Sequence, residues 1–117
     1  MQYDRKWHEE ESTEDCFGRC MWALGFAISN EYTPKGVKYG LSHILKNAMP
    51  HITTLNSPRA KAYTIIGLAH LEGENERNLA YETAQSLCRQ YERNKDGDWK
   101  WFENIVAYCN SVLPWSL

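Results

Sequence analysis

Two stretches of the chain repeat one pattern 42 residues apart, and this period limits the possible folds more than any other feature. Arg19–Gly25 and Lys61–Gly67 each begin with a basic residue, continue with a mostly apolar run and end with a glycine. Another step of the same length reaches Cys109. A period of this size is typical of stacked helical hairpins. We therefore expect an array of α-helical hairpins that stops partway through its third hairpin.

Capping signals and apolar periodicity predict five helices. Thr33-Pro34 and Ser57-Pro58 each combine a helix-capping residue with a first-turn proline, and Asp96-Gly97 indicates a loop before the last helix. Ser12 or Thr13 is the expected start of the first helix. The predicted helices cover about residues 12–30, 34–49, 57–72, 75–93 and 98–113.

The predicted helices alternate in kind. The first, third and fifth are apolar around most of their circumference, whereas the second and fourth are amphipathic. This alternation favours an all-α fold with two layers, in which the apolar helices lie inside. We assign residues 1–11 to a polar leader and 12–117 to one helical-hairpin domain. The fifth helix has no outer partner, so we expect self-association or further C-terminal hairpins to cover it.

Composition and charge exclude several classes of function. The net charge is −2 and there is no basic block, which disfavours nucleic-acid binding. No apolar run approaches the roughly 20 residues that span a bilayer, and the acidic N-terminus is unlike a signal peptide. We therefore expect a cytoplasmic protein that does not enter membranes.

The sequence carries no pattern typical of a cofactor or metal site. There is no phosphate-binding glycine-rich loop and no nucleophile elbow. Four cysteines are present, but no CxxC or HxxxH pair accompanies them. We interpret them as small, buried, reduced thiols: Cys16, Cys20, Cys88 and Cys109.

In a two-layer array the N-termini of the inner helices meet at one rim, and the residues predicted there could bind sugars. Aromatic faces pack against sugar rings while carboxylates and arginines take the hydroxyls. Two carboxylates could also act as acid and base on a glycosidic bond. The catalytic candidates are Glu14, Asp15 and Glu103. The substrate-binding candidates are Arg19, Arg59, Trp99 and Trp101, accompanied at the rim by Ser57 and Phe102.

Each of these residues also has a purely structural interpretation. Glu14 and Asp15 are acids in the first turn of a helix, where the helix dipole favours negative charge. Arg19 could pair with Asp15 one turn away. Trp99 and Trp101 could close the end of the core. Gly18 inside a helix costs about 1 kcal/mol relative to alanine, which suggests close approach by another helix or a ligand.

The segment Thr13–Gly25 resembles the signature (S/T)-E-D-x-x-G-R-x-x-W-A-L-G. That signature belongs to the helical six-hairpin region of bacterial proteins labelled as glycosyltransferases or glycosidase-like proteins. Ser57–Ala60 and Trp99–Glu103 fit the same pattern in the same order, so the resemblance covers about residues 12–114. It implies about two and a half hairpins of an α/α toroid, with an oligosaccharide or glycan as substrate.

The resemblance also extends the candidate site and marks a departure from the family pattern. It implies that Tyr108 and Asn110 join the substrate-binding residues. It also implies an aspartate where Cys109 stands, so this chain alone is expected to be incomplete as a glycosyltransferase or glycoside hydrolase-like enzyme. The alternative from another class is a non-catalytic α-solenoid that binds a protein or peptide on its concave face.

Overall fold

The computed structural model describes residues 13–117, and these residues form helices joined by loops and turns without a strand. The predicted all-α class is therefore confirmed for the described part of the chain. The predicted leader, residues 1–11, and Ser12 lie outside the described residues. A 3₁₀ segment covers Met49–Thr54, and the α-helices are α1 (Glu14–Ser29), α2 (Lys35–Ala48), α3 (Pro58–Ala69), α4 (Glu74–Asn94) and α5 (Val112–Trp115).

Side-chain caps fix where the inner helices α1 and α3 begin. The Thr13 hydroxyl accepts a hydrogen bond from the Cys16 N–H at 3.3 Å, and the Ser57 hydroxyl accepts one from the Ala60 N–H at 3.4 Å. Both starts agree with the predicted capping residues. Helix α2 ends at Ala48, as expected for a helix that stops before Pro50, and the 3₁₀ segment then continues through Pro50.

Helices α1 and α3 run parallel, and residues that are 42 positions apart in the sequence face each other across their contact. Gly18 lies against Ala60, and Gly25 lies against Gly67. A Cβ atom added at Gly18 would lie 2.7 Å from the Cα atom of Ala60, and one added at Gly25 would overlap the backbone of Gly67. The expectation that Gly18 marks close approach by another helix is therefore confirmed.

The remaining long helices form an outer layer. Helix α2 packs against α1, and α4 packs against α3, while α2 and α4 are separated by a gap. Helix α3 is buried from Pro58 to Leu68, as expected for an inner helix. Helix α1 is buried only at Gly18, Met21 and Gly25, so one of its sides faces solvent.

The predicted fifth helix is wrong for most of its length. Residues 95–111 form bends and turns, and only α5 is helical in this region. Gly97 and Cys109 both adopt φ of 51°, a left-handed conformation that interrupts a right-handed helix. Ile105 and Val106, which belong to the predicted inner fifth helix, are 65% and 63% exposed. Val112 and Leu113, at the end of that predicted helix, are buried.

The prediction of buried cysteines is also wrong. Cys16 and Cys20 lie on the open side of α1, Cys88 lies on the solvent side of α4, and all four thiols are free and exposed. Among residues 13–117, no group of three or more His, Cys, Asp and Glu is arranged to hold a metal ion. None of the described helices is long and apolar enough to cross a membrane.

Candidate functional site

Arg59, a residue of the predicted rim, makes hydrogen bonds through its whole guanidinium group. It is only 4% exposed, and each guanidinium nitrogen donates a hydrogen bond: Nη1 to Glu103 Oε2 at 2.6 Å, Nε to the Tyr108 carbonyl at 2.6 Å and Nη2 to Asn110 Oδ1 at 3.0 Å. The Tyr108 ring also lies 4.8 Å from the guanidinium. Arg59 therefore holds the irregular segment 95–111 against α3, with Glu103, Tyr108 and Asn110 as its partners.

Glu14 joins the two inner helices. Its Oε2 atom accepts hydrogen bonds from the N–H groups of Asn56 at 2.8 Å and Ser57 at 2.5 Å, and the Asn56 side-chain amide donates to Oε1 at 3.4 Å. The carboxylate thus lies at the N-terminus of α3, where unpaired N–H groups and the helix dipole favour a negative charge. These contacts give Glu14 a structural role in the alignment of α1 with α3.

Asp15 and Arg19 form an ion pair at the surface of α1. The Arg19 Nε atom lies 2.8 Å from Asp15 Oδ2, and the arginine side chain is 51% exposed. Its guanidinium lies 5.0 Å from the centre of the Tyr63 ring. Burial, together with a hydrogen bond to Cys109, raises the pKa of Tyr63 to about 12. At neutral pH this group is therefore a protonated phenol beside an ion pair.

An aromatic surface continues from this ion pair along α1. Trp22 stacks on Tyr63 at 5.7 Å with 13° between the ring planes, and Trp115 meets Trp22 edge-on at 6.0 Å. One turn further, Phe26 meets His70 edge-on at 5.7 Å. We call Trp22, Phe26, His70 and Trp115 the aromatic face.

Two shallow cavities adjoin the aromatic face, and Trp22 and Phe26 line both of them. The smaller measures about 310 Å³ and also includes Arg19 and Ala23. The larger measures about 420 Å³ and also includes Ile65, Ile66, His70 and Trp115. Since Trp22 and Phe26 line both cavities, a flat ligand could contact Arg19 and the rings at the same time.

The structure divides the predicted rim residues into two groups. Asp15 and Arg19 adjoin the aromatic face. The others stabilise the fold: Trp99 donates its indole N–H to the Glu103 carbonyl at 2.8 Å, and Trp101 packs edge-on against Phe102 in the core. A catalytic role for Glu14, Asp15 or Glu103 stays a prediction.

Sequence reasoning missed the aromatic face itself. Arg19, Trp22 and Phe26 are three and four residues apart, so they lie on one side of α1. That spacing is a usable signal, but the predicted rim included Arg19 without Trp22 and Phe26. The contribution of Trp115 depends on where the irregular segment 95–111 ends, which the sequence pattern did not predict.

Comparisons with protein-family models, curated proteins and solved structures found no match to this chain. The family resemblance of Thr13–Gly25 therefore stays a prediction, and the functional argument depends on the geometry of the site.

Proposed function

We propose that this chain binds glycans at the aromatic face. The observation that carries the proposal is the arrangement of Trp22 and Trp115 next to the Asp15–Arg19 ion pair. Aromatic rings offer apolar planes to the C–H surfaces of a sugar, while a guanidinium donates hydrogen bonds to the sugar hydroxyls. The partly exposed Arg19 retains N–H groups for this purpose, because its bond to Asp15 uses Nε.

Binding, rather than cleavage, is the activity we propose. Glycoside hydrolysis uses two carboxylates that face the same bond, about 5–9.5 Å apart. Glu14 bonds the backbone at the start of α3, and Glu103 pairs with Arg59. Asp15 is the one predicted catalytic acid that adjoins the aromatic face, so a catalytic carboxylate pair has no support there.

We further propose that the two parallel inner helices belong to an α/α toroid and that the protein acts in the cytoplasm. Helices α1 and α3 pack side by side with α2 and α4 outside them, which is the local arrangement from which toroids and solenoids are both built. Four exposed, unpaired thiols suit a reducing compartment.

A matched pair of tryptophan variants tests glycan binding. Glucose and mannose oligosaccharides are titrated by calorimetry into wild type, Trp22→Ala and Trp99→Ala, with circular dichroism to confirm folding. Loss of an aromatic stacking partner is worth about 1 kcal/mol or more, so we expect Trp22→Ala to weaken binding about tenfold. Trp99→Ala should bind like wild type, because Trp99 lies outside the aromatic face. Equal affinity of both variants, or no binding by the folded wild type, contradicts the proposal.

The gap between α2 and α4 favours a second candidate function, peptide binding. This cavity measures about 710 Å³ and has an apolar floor that includes Leu45, Leu71 and Leu79. The charged residues that line it are three acids and one lysine: Glu72, Glu76, Glu82 and Lys46. Binding of a basic amphipathic peptide in this gap, in the absence of oligosaccharide binding, would favour peptide binding by the outer layer over the glycan proposal.

A further inference from the structure

A smaller cavity lies between the 3₁₀ segment, α3 and α4, and it shares Thr53, Leu79 and Glu82 with the gap between α2 and α4. It measures about 210 Å³, which is below the range of about 300–1,000 Å³ that drug-sized ligands occupy. None of its lining residues belongs to the aromatic face. The polar residues that line it are Thr53, Lys61, Glu82, Thr83, Ser86 and Arg89.

Lys61 is the unusual member of this group, because it is a buried cation. It is 8% exposed, and its ammonium makes one hydrogen bond, to Gln90 Oε1 at 3.1 Å. Among the ion pairs of residues 13–117, none involves Lys61 or Arg89. A lysine has three N–H donors, so two remain for a ligand.

Charges of both signs lie around Lys61, and two of them are the like charges of Arg89 and Arg93. Burial lowers its pKa, the carboxylate of Glu14 partly opposes this, and the positive charges of Arg89 and Arg93 lower the pKa further. Burial of a charged group without a paired opposite charge is costly, and like charges nearby add to the cost. An anion in the cavity would remove both penalties.

The chemistry of the lining residues indicates which anion fits. An arginine guanidinium binds the oxygens of phosphate or carboxylate in a two-pronged geometry, and a lysine ammonium adds a point charge. Glu82 lies at the same cavity and accepts hydrogen bonds, so it can take a protonated phosphate oxygen or a ligand hydroxyl. The small volume excludes a nucleotide-sized ligand.

We propose that this cavity binds a phosphate group, either as inorganic phosphate or as a small phosphate monoester, between Lys61 and Arg89. The bound oxygens accept hydrogen bonds from the Lys61 ammonium and the Arg89 guanidinium. This site is independent of glycan binding at the aromatic face, since the two share no residue.

Thermal unfolding with and without phosphate tests the proposal. Wild type, Lys61→Met, Arg89→Gln and the control Arg77→Gln are each melted in sodium chloride and in sodium phosphate at equal ionic strength. Arg77 is an exposed arginine of the same helix that does not line the cavity. Phosphate stabilises folded proteins in general, so the informative quantity is the additional rise that depends on Lys61 and Arg89.

For each variant, the rise in melting temperature from chloride to phosphate is measured. With phosphate about tenfold above its dissociation constant, we expect this rise to be about 4 °C larger for wild type and Arg77→Gln than for Lys61→Met. Arg89→Gln should lose most of this additional rise. If Lys61→Met does not fold, Arg89→Gln takes its place as the variant with which wild type is compared. An equal rise in all folded variants overturns the proposal.

A second series separates the two sources of the phosphate group. Inorganic phosphate and glucose 6-phosphate are titrated against protein labelled for detection of lysine ammonium signals by NMR. A shift of the Lys61 signal with inorganic phosphate alone assigns the site to the free ion, and a larger shift with the monoester assigns it to phosphorylated small molecules. No shift of Lys61 with either ligand contradicts the proposal.

Discussion

Arg59 shows how one buried side chain can organise a segment that lacks regular structure. Its guanidinium binds Glu103, the backbone of Tyr108 and the side chain of Asn110, which lie on the irregular segment 95–111. These three contacts converge on one residue of α3. A flat group with several fixed donors is suited to this task, whereas a lysine would supply one point charge.

We expect Arg59→Lys to destabilise the protein by about 2–3 kcal/mol. The lysine cannot satisfy Glu103, Tyr108 and Asn110 together, and partial solvent exposure of Glu103 reduces the cost below that of a fully buried pair. Urea unfolding measures the free energy, and the exposed Arg77→Lys serves as control, with an expected change within about 0.5 kcal/mol. Equal stability of the two variants would show that Arg59 does not hold the segment.

The sequence pattern predicted Arg59 and Glu103 at one rim. The family resemblance implied Tyr108 and Asn110 beside them, and all four were assigned to a substrate site. Residue type alone does not distinguish an arginine that binds a ligand from one that binds its own chain. Arg59 binds Tyr108 and Asn110, the two residues on either side of Cys109, where the backbone turns in a left-handed conformation. No propensity rule predicts that conformation for a cysteine. Glu14 was open to both interpretations for the same reason, and its partners are backbone N–H groups at the start of α3.

At the scale of elements, the close contact between α1 and α3 depends on glycines, which have no side chain to hold the helices apart. A Cβ atom at Gly67 would overlap the Met21 carbonyl group and would lie 2.8 Å from the Cα atom of Trp22. These are backbone atoms of a neighbouring helix, so they cannot rotate away. The helices would have to separate, which would also move Trp22 relative to Tyr63.

We expect Gly67→Ala to destabilise the protein by about 1–3 kcal/mol, as overpacking of a tight contact does, even though alanine is the better helix former. Gly40→Ala is the matched control, because Gly40 lies within α2 and has no neighbour within 4 Å of an added Cβ atom. That variant should gain about 0.5–1 kcal/mol. Thermal unfolding of both variants measures the difference, and a stabilised Gly67→Ala would contradict the described contact.

The elements that the sequence predicted well share a local cause. Helix α3 has a cap, a first-turn proline and a continuous apolar run, and it forms as predicted. The predicted fifth helix had apolar residues at helical spacing and a capping residue in Asp98, but it had no first-turn proline, and Gly97 lies directly before it. In that region Phe102 is buried in the core and Trp101 packs against the same core cluster, and this tertiary packing decides the backbone path. Apolar spacing alone therefore over-predicted helix there.

At the scale of the whole molecule, the 42-residue period has a direct structural meaning. Equivalent positions of the two complete hairpins, Gly25 and Gly67, meet at the centre of the inner layer. The period thus aligns the N-termini of α1 and α3, and it brings Arg19 and Trp22 of α1 next to Tyr63 of α3. The third unit departs from the repeat, and its final helix supplies Trp115 to the aromatic face.

The aromatic face is therefore a product of the whole fold, with contributions from α1, α3 and α5. This origin explains why the aromatic candidates predicted from the sequence differ from the aromatic residues of the proposed site. Trp99 and Trp101 were visible as a local cluster, whereas Trp22 and Trp115 are 93 residues apart and meet only after folding.

The indole N–H signals of the tryptophans test the central claim most directly. In a two-dimensional NMR titration with a mannose or glucose oligosaccharide, we expect the signals of Trp22 and Trp115 to shift in a saturable manner. The signals of Trp99 and Trp101 should stay in place, because these residues stabilise the irregular segment away from the aromatic face. Shifts confined to Trp99 and Trp101, or no shift of any of the four at saturating sugar, would contradict glycan binding at the aromatic face.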